Sequence, residues 1–253
     1  MDVALDPSNW QARGVPRLII WLSAGVLLLL LIAVGADRAA LYFASRSVAQ
    51  ELVDPNAPGE TVNVQINGFP FLTQALSGSY DDVDVTMTNV PATSELVLTQ
   101  LDATLHGVHA PLGQVLSGGL TNLPVDSAEA VGQVSFAALQ KAAVKEVGVD
   151  GTTLSFARAA ADKVAVTASV ETPLGDFTLK GQAKIGVSKG KLAVTLLPKT
   201  ITGLPEDFQD DAASLVDLSG LNTQLPFGFV PTSVTVTAIG LSLRASGTHL
   251  NIS

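Results

Sequence analysis

The chain has 253 residues, of which 47% are hydrophobic and 15% are charged, and its formal net charge at neutral pH is −9. This length supplies ample material for a hydrophobic core, while the acidic balance argues against a nucleic-acid-binding protein. Because the chain has no cysteine, a disulfide framework and a structural zinc site built on thiolates are excluded, and packing must stabilise the fold.

An uncharged apolar run over residues 18–36 stands near the N-terminus. At about 1.5 Å per residue it spans roughly 28 Å, close to the hydrocarbon thickness of a bilayer. Arg13 and Arg17 precede the run, so the positive-inside tendency places the N-terminus in the cytoplasm and the rest of the chain outside. We therefore predict a cytoplasmic tail over 1–17 and a single transmembrane anchor over 18–36 in the plasma membrane.

A cleaved export signal is the alternative interpretation of this run, because Val34-Gly35-Ala36 is typical of a small-residue cleavage site. We favour the uncleaved anchor, since the apolar run exceeds the usual signal core of about 7 to 15 residues and residues 39–52 continue as good helix. A helical stem and linker are then predicted over 37–59, and an extracytoplasmic domain over 60–253.

The run Gly68-Phe69-Pro70-Phe71-Leu72-Thr73-Gln74 predicts a short helix that has Pro70 in its first turn and ends at Gly78. Helical spacing is expected to place its apolar side chains on one face: Phe71, Leu72, Ala75 and Leu76. Alternation over 83–90 predicts a strand directly afterwards. Two aromatic rings on so short a segment must be buried against a sheet, or against apolar material that the sheet holds.

Alternating apolar residues predict further strands over 62–66, 96–105, 164–170, 177–187, 192–196 and 234–245. The apolar phase changes within two of these strands, so we expect bulges near Thr99-Gln100 and at Gly240, and bulged strands curve. Ser135 is expected to cap a helix from Phe136 to about Glu146. The predicted fold is α+β, with the transmembrane helix followed by a long, curved, bulged antiparallel sheet wrapped around a few helices.

Residues suited to catalysis are scarce. A spacing of three on a strand points His106 and His109 to opposite faces, so they cannot share a metal ion. The glycines and serines form neither a nucleophile elbow nor a phosphate-binding loop. Asp82 and Asp84 share a strand face, but two carboxylates are too few to define a calcium site. We therefore predict no enzyme activity, no metal site and no cofactor.

One hairpin is basic in an otherwise acidic chain, because residues 177–205 include lysines and no acidic residue. Lys180 and Lys184 share a strand face opposite Leu179 and Ile185, so ammonium groups back or rim an apolar surface. A phospholipid needs this pairing of acyl contacts and phosphate contacts. The alternative is a core face with a solubilising face, which any amphipathic strand shows. The acidic run over 206–217 follows as a helix or loop.

Several features together are similar to the LmeA-type phospholipid-binding family of actinobacterial envelopes, from about Asp37 to the C-terminus. They are the membrane segment, Asp37-Arg38 opening a helix, the Gly68-to-Gln74 run, Tyr80-Asp81 with its alternating strand, and the closing Ser246-Gly247-Thr248. The resemblance implies an envelope protein that binds phospholipids, phosphoinositides among them, and that is linked by the family's name to lipomannan elongation. It also implies a tubular fold in which a curved sheet wraps helices around an apolar groove.

We therefore predict a membrane-anchored envelope protein that binds phospholipid in an apolar groove and supports glycolipid or lipomannan assembly, with an envelope glycosyltransferase as a further candidate partner. The candidate groove residues are Phe69, Phe71, Leu72, Leu76, Phe136 and Leu139. The candidate headgroup residues are Lys180, Lys184, Lys189 and Lys191. The alternative is a scaffold that docks on a membrane glycosyltransferase or transporter and carries no lipid.

Overall fold

A computed structural model of the chain describes residues 17–53, 59–91, 97–117, 122–147, 152–172, 175–203 and 228–252. The predicted tail before residue 17, the Pro55-to-Pro58 part of the linker and the acidic run 206–217 lie outside these residues. The helices are α1 (Arg17–Leu52), α2 (Phe71–Ser77), α3 (Leu112–Ser117) and α4 (Phe136–Val147). The strands are β1 (Thr61–Ile66), β2 (Ser79–Pro91), β3 (Val97–His109), β4 (Leu123–Ser135), β5 (Thr152–Ala160), β6 (Lys163–Thr172), β7 (Gly175–Ser188), β8 (Lys191–Leu196), β9 (Val230–Val236) and β10 (Gly240–Ile252).

The strands form two antiparallel sheets. The first sheet has the order β1-β2-β3-β4-β10-β9, and the second is the β5-β6-β7-β8 meander. The second sheet lies beside β9, which contacts β7 and β8. The predicted α+β class is therefore confirmed, with the strands divided between two sheets where the sequence suggested one long sheet.

Helix α1 is one continuous helix of 36 residues that includes the predicted anchor and, of the predicted stem and linker over 37–59, the part up to Leu52. By length and composition, its Gly25–Leu52 portion is able to cross a membrane. The most apolar 18 residues of this portion have a mean hydropathy of 2.0, and only 6% of them are buried. These properties fit either a membrane anchor or a signal segment. The C-terminal half of α1 packs on the first sheet through Ala44, which is fully buried, and its neighbours on the same face.

The main core lies between one face of the first sheet and the first three helices. Alternation along the strands directs apolar side chains to this face, as the sequence predicted, and the phase changes once near Gly107, which has φ of 63°, so core residues such as Tyr80 and Val83 are three positions apart. The fully buried members are Ala44, Val64, Ile66, Phe71, Ala75, Tyr80, Val83, Val108, Ala110, Val115, Val125, Ala128 and Leu250. Because α1 packs on β1, α2 and α3, the core stands at the end of the sheet where β2 begins and β3 ends.

Two local predictions about helix ends are confirmed. The Ser135 hydroxyl accepts a hydrogen bond from the Ala138 N–H at 3.1 Å, so Ser135 caps the start of α4. Gly78 ends α2 in the left-handed conformation, with φ of 70°. Pro70, however, is the residue before α2 rather than part of its first turn, since its ψ of 140° is extended.

Both predicted bulge positions are wrong. The register between β2 and β3 is constant from Val97 to His109, and near Thr99 the irregular residue is Asn89 of β2, which has φ of 56°. Gly240 begins β10 after a turn. Its N–H donates to the Thr237 hydroxyl, and its carbonyl accepts a hydrogen bond from that hydroxyl. A side chain at Gly240 would collide with the Val134 carbonyl, so close approach to β4 explains this glycine. The bulge lies instead between Arg244 and Ala245, against β9.

Candidate functional site

The apolar face of the first sheet continues beyond the part that the helices cover. Its cross-strand rows alternate large and small residues, and the rows are set by an unbroken antiparallel register. One row is Met87, Leu101, Gly132 and Leu243, and the next is Val85, Ala103, Ala130 and Ala245. The opposite face of these strands carries polar side chains, such as Asp84, Thr104 and Glu129. The sheet therefore has one apolar face and one polar face.

Small residues make the middle of this apolar face lower than its sides. Ala103, Ala130 and Gly132 occupy the centre. Val85 and Met87 of β2 and Leu243 of β10 flank them, while Ala245 of β10 is also small and Leu98 adjoins Gly132. We call this strip, from Ala128 to Val134 on β4 with its neighbours on β3, the small-residue trough. At about 3.3 Å per residue it runs roughly 20 Å, compared with about 15 Å for one leaflet of a bilayer's hydrocarbon core. A lipid acyl chain therefore matches the trough in length and polarity.

The trough lies outside the buried core. Ala128 at its lower end is 1% exposed, whereas Leu101, Ala103, Ala130 and Gly132 are only partly buried. These partly buried residues also do not belong to the core cluster that packs under α1, α2 and α3. Among the described residues, α1, α2 and α3 therefore cover one end of the apolar face, and the trough continues from it toward α4.

A cavity of about 530 Å³ opens at the helix end of the sheet, between the end of α2 and the start of α3. Its apolar lining comes from Ala75, Leu76, Pro111 and Leu112, and its polar lining includes His109, Gln114 and Asn122. This volume is within the range of small-ligand pockets, which are mostly apolar with a few polar groups. The cavity and the trough adjoin the same core, because Ala75 packs in one buried cluster with Ala128.

The motif from Gly68 to Gln74 fixes α2 on the sheet through a glutamine. The Gln74 side chain donates from Nε2 to the Asn67 carbonyl at 3.1 Å and accepts the Asp81 N–H at Oε1 at 2.9 Å. Gly68 has φ of 98° and stands so close to Gln74 that a side chain there would collide with it. The motif therefore joins the turn before α2 to the strand after it.

The buried face of α2 is rotated about the helix axis by part of a turn from the predicted apolar face, so that prediction is wrong. The buried residues are Phe71, Gln74 and Ala75, whereas Leu72 is 38% exposed and Leu76 is 80% exposed. The reason is the pair of Gln74 hydrogen bonds, which turn this polar side chain inward against backbone groups that need partners. Among the candidate groove residues, Phe71 therefore belongs to the core, while Phe69, Leu72 and Leu76 lie at the surface.

Phe136 and Leu139 lie at the other end of the sheet. Both are partly buried on α4, which packs on β4, β5 and β10. Strand β4 measures the distance between α2 and α4, because Val125 of β4 packs in the core with Phe71 and Ser135 caps α4. The ten residues from Val125 to Ser135 span about 33 Å, so the candidate groove residues of α2 lie about that far from those of α4. The structure does not bring the six candidate groove residues into one groove, although the small-residue trough lies between the two groups.

The candidate headgroup lysines are all exposed on the second sheet or its turn. Lys180 and Lys184 share a face of β7 opposite Leu179 and Ile185, as predicted, and Lys163 of β6 pairs directly with Lys184. The Lys184 Nζ lies 3.7 Å from Asp162 Oδ2. This basic face was only partly recognised from the sequence, because the cross-strand position of Lys163 depends on the register.

Several ionisable groups on the polar face of the first sheet have partners within that sheet. His106 Nδ1 hydrogen-bonds Asp82 Oδ1, and Asp84 accepts hydrogen bonds from Asn67 and Thr104. His109 Nε2 lies 3.4 Å from Asp126 Oδ1. In the described residues, no group of three or more histidine, aspartate or glutamate side chains could hold a metal ion.

Strand β4, which provides half of the trough, was not recognised in the sequence. Its signal is the alternation of Ala128, Ala130 and Gly132 with polar or larger residues, and alanine and glycine are poor strand formers. The same small side chains that form the trough therefore concealed the strand. The α2–α3 cavity was also missed, because its lining comes from segments that are distant in the chain.

Comparison with known proteins gives one match. The family model for LmeA-like phospholipid-binding proteins matches residues 35–246, which is most of the chain. Searches of curated proteins and of solved structures found no match. The matched span begins two residues before Asp37, which hydrogen-bonds α2, and it ends within β10, so it includes the second sheet and all but the end of the first.

Proposed function

Because this chain belongs to the LmeA-like phospholipid-binding family, we propose that it binds one phospholipid with its acyl chains along the small-residue trough. The observation that carries the proposal is the continuous apolar face of the first sheet, which α1, α2 and α3 cover at one end and which continues toward the end where α4 packs. Acyl chains gain free energy there by removal of apolar surface from water. The α2–α3 cavity, with apolar walls and a few polar groups, extends the same apolar region.

The proposal includes a membrane anchor with the folded domain outside the cytoplasm. Helix α1 passes from the apolar run into the sheet-packed half without interruption, and accessible proteolytic sites usually stand in exposed loops rather than in continuous helix. Arg13 and Arg17 before the run support a cytoplasmic N-terminus. An anchored domain of this kind would hold lipid for envelope glycolipid or lipomannan assembly, and an envelope glycosyltransferase would be the recipient.

The lysines of the second sheet are proposed to attract the anionic headgroup. Lys180 and Lys184 are exposed on the same face as Lys163. Each lysine near an anionic lipid surface contributes about 1 kcal/mol, and the effect falls within a Debye length. The contribution is therefore one of attraction and lipid preference rather than of a closed phosphate pocket.

Native mass spectrometry of the full chain, extracted from envelope membranes in mild detergent, tests lipid binding. We expect one phospholipid per chain to remain bound as the detergent is exchanged and the collision energy is raised, and lipid extraction then identifies its headgroup. Lipid that merely surrounds α1 should instead leave gradually and without fixed stoichiometry. A chain that loses all lipid under mild conditions would contradict the proposal and favour the scaffold.

A further inference from the structure

Three large apolar side chains are exposed together at α2. Phe69 is 60% exposed, Leu72 is 38% exposed and Leu76 is 80% exposed. Leu72 and Leu76 are four residues apart and therefore lie one above the other on the helix, with Phe69 just before it. A contiguous exposed apolar patch usually marks a contact surface, whereas single exposed apolar residues do not. We call these three residues the α2 patch.

The α2 patch is fastened to α1 at the point where the apolar run ends. Asp37, the first charged residue after the run, accepts the Leu72 backbone N–H at Oδ1 at 2.8 Å. The guanidinium of the next residue, Arg38, lies 4.9 Å from the centre of the Phe69 ring, which is a cation–π distance. The patch therefore stands at the same level as the end of the predicted membrane span.

We propose that the α2 patch is a membrane footprint, inserted into the interfacial zone of the bilayer that α1 crosses. This inference depends on the membrane anchoring proposed above. Continuity identifies the lipid surface as the occupant, because side chains 26–32 of α1 are 56–67% exposed and lead directly to the level of the patch. Large apolar side chains next to an arginine are also typical of interfacial segments, where the guanidinium reaches the headgroups.

Arg38 beside the patch is a cation that an anionic leaflet attracts. Carboxylates at the same end of the sheet, such as Asp82, lie on the face opposite to the one on which α1 and α2 pack. Leu76 also lines the α2–α3 cavity, so a docked α2 brings the opening of that cavity to the bilayer surface, where a lipid can enter without crossing water.

Site-directed spin labelling tests the footprint, and the absence of native cysteine makes each label unique. The full chain carrying Leu76→Cys is compared with Ile239→Cys, a residue that is 72% exposed in the turn between β9 and β10. That turn lies at the α4 end of the sheet, since the Phe136 N–H donates to the Ile239 carbonyl at 2.9 Å. Both labelled chains are reconstituted into vesicles of phosphatidylcholine and phosphatidylglycerol, and Phe69→Cys provides a second test position.

We expect labels at 69 and 76 to be more accessible to oxygen than to a water-soluble nickel chelate, and the label at 239 to show the reverse. Equal nickel accessibility at 76 and 239 would overturn the footprint. Low accessibility of residue 76 to both reagents would also overturn it, because protein rather than lipid would then cover the patch. Circular dichroism of each labelled chain verifies that the sheets are intact.

The same preparations separate this inference from the proposed function. Stoichiometric phospholipid in native mass spectrometry together with a water-exposed label at 76 would retain lipid binding and reject the footprint. A lipid-embedded label at 76 in a chain without bound phospholipid would retain the footprint and reject the carrier.

Discussion

The carboxylate of Asp37 accepts the backbone N–H of Leu72, two residues that stand 35 positions apart in the chain. The bond joins the end of the apolar run to the first turn of α2, where backbone N–H groups lack helical partners. The Asp37 side chain is 3% exposed, so water does not replace the bond easily. The bond therefore adds to the packing of α1 on β1, α2 and α3, which joins the apolar run to the sheet.

We expect Asp37→Ala to destabilise the folded domain by about 1 kcal/mol, the usual cost of losing a side-chain cap. Asp37→Asn should retain most of the stability, because its amide oxygen can accept the same N–H. Thermal unfolding in detergent, followed by the circular dichroism of the sheets, measures both variants. If the alanine variant unfolds at the wild-type temperature, the contact does not stabilise the domain.

Filling the small-residue trough should reduce lipid binding without unfolding the chain. Ala130→Leu places a larger side chain at the centre of the trough, so we expect the amount of copurified phospholipid to fall several-fold. Ala168→Leu is the matched control, because Ala168 is also partly buried on a central strand but lies between Leu154 and Leu179 of the second sheet, on the face opposite Lys180 and Lys184. Lipid extraction and native mass spectrometry measure both, and equal losses in the two variants would argue against the trough.

Neutralising two lysines of the second sheet should change which lipid is bound. We expect Lys180→Gln with Lys184→Gln to lower the ratio of anionic to zwitterionic phospholipid by up to about thirtyfold, since each lysine contributes about 1 kcal/mol near an anionic surface. Lys141→Gln with Arg244→Gln removes the same charge from exposed positions on α4 and on β10 of the first sheet. An unchanged ratio in the first variant would reject the headgroup role and leave the trough intact.

Tyr80 predicts a specific sensitivity to alkaline pH. Its side chain is 2% exposed, its hydroxyl has no hydrogen-bond partner in the described part of the chain, and burial raises the pKa of Tyr80 above its ordinary value of 10.0. Above that value the unfolded tyrosine loses its proton while the folded one retains it, so folding stability is present below pH 10 and falls as the pH rises further.

We expect Tyr80→Phe to remove this alkaline loss and to be at least as stable as the wild type at neutral pH, because it deletes a buried unpaired hydroxyl. Urea unfolding at neutral pH and above pH 10 compares the two chains. A pH dependence that is identical in both would show that Tyr80 does not contribute to it.

Patterns of a few consecutive residues were read correctly from the sequence. The strand alternation, the Ser135 cap and the Gly78 helix end depend on local steric and hydrogen-bonding preferences, so each is visible in one short segment. The helical phase of α2 was not predicted correctly. Leu72 was expected to be buried and is exposed, whereas the polar Gln74 is buried. That choice depends on the Asp81 N–H and the Asn67 carbonyl, which need a partner only once the strands are in place.

By itself, the sequence determined an apolar N-terminal helix, an antiparallel α+β domain and the family to which the chain is similar. Only the tertiary structure decided that the strands form two sheets, that Phe136 and Leu139 stand far from α2, and that small residues of β3 and β4 align as a trough. The physical reason is that periodicity assigns each side chain to a face of its own strand. Which faces become neighbours depends on strand order and register, and these arise from contacts between distant segments.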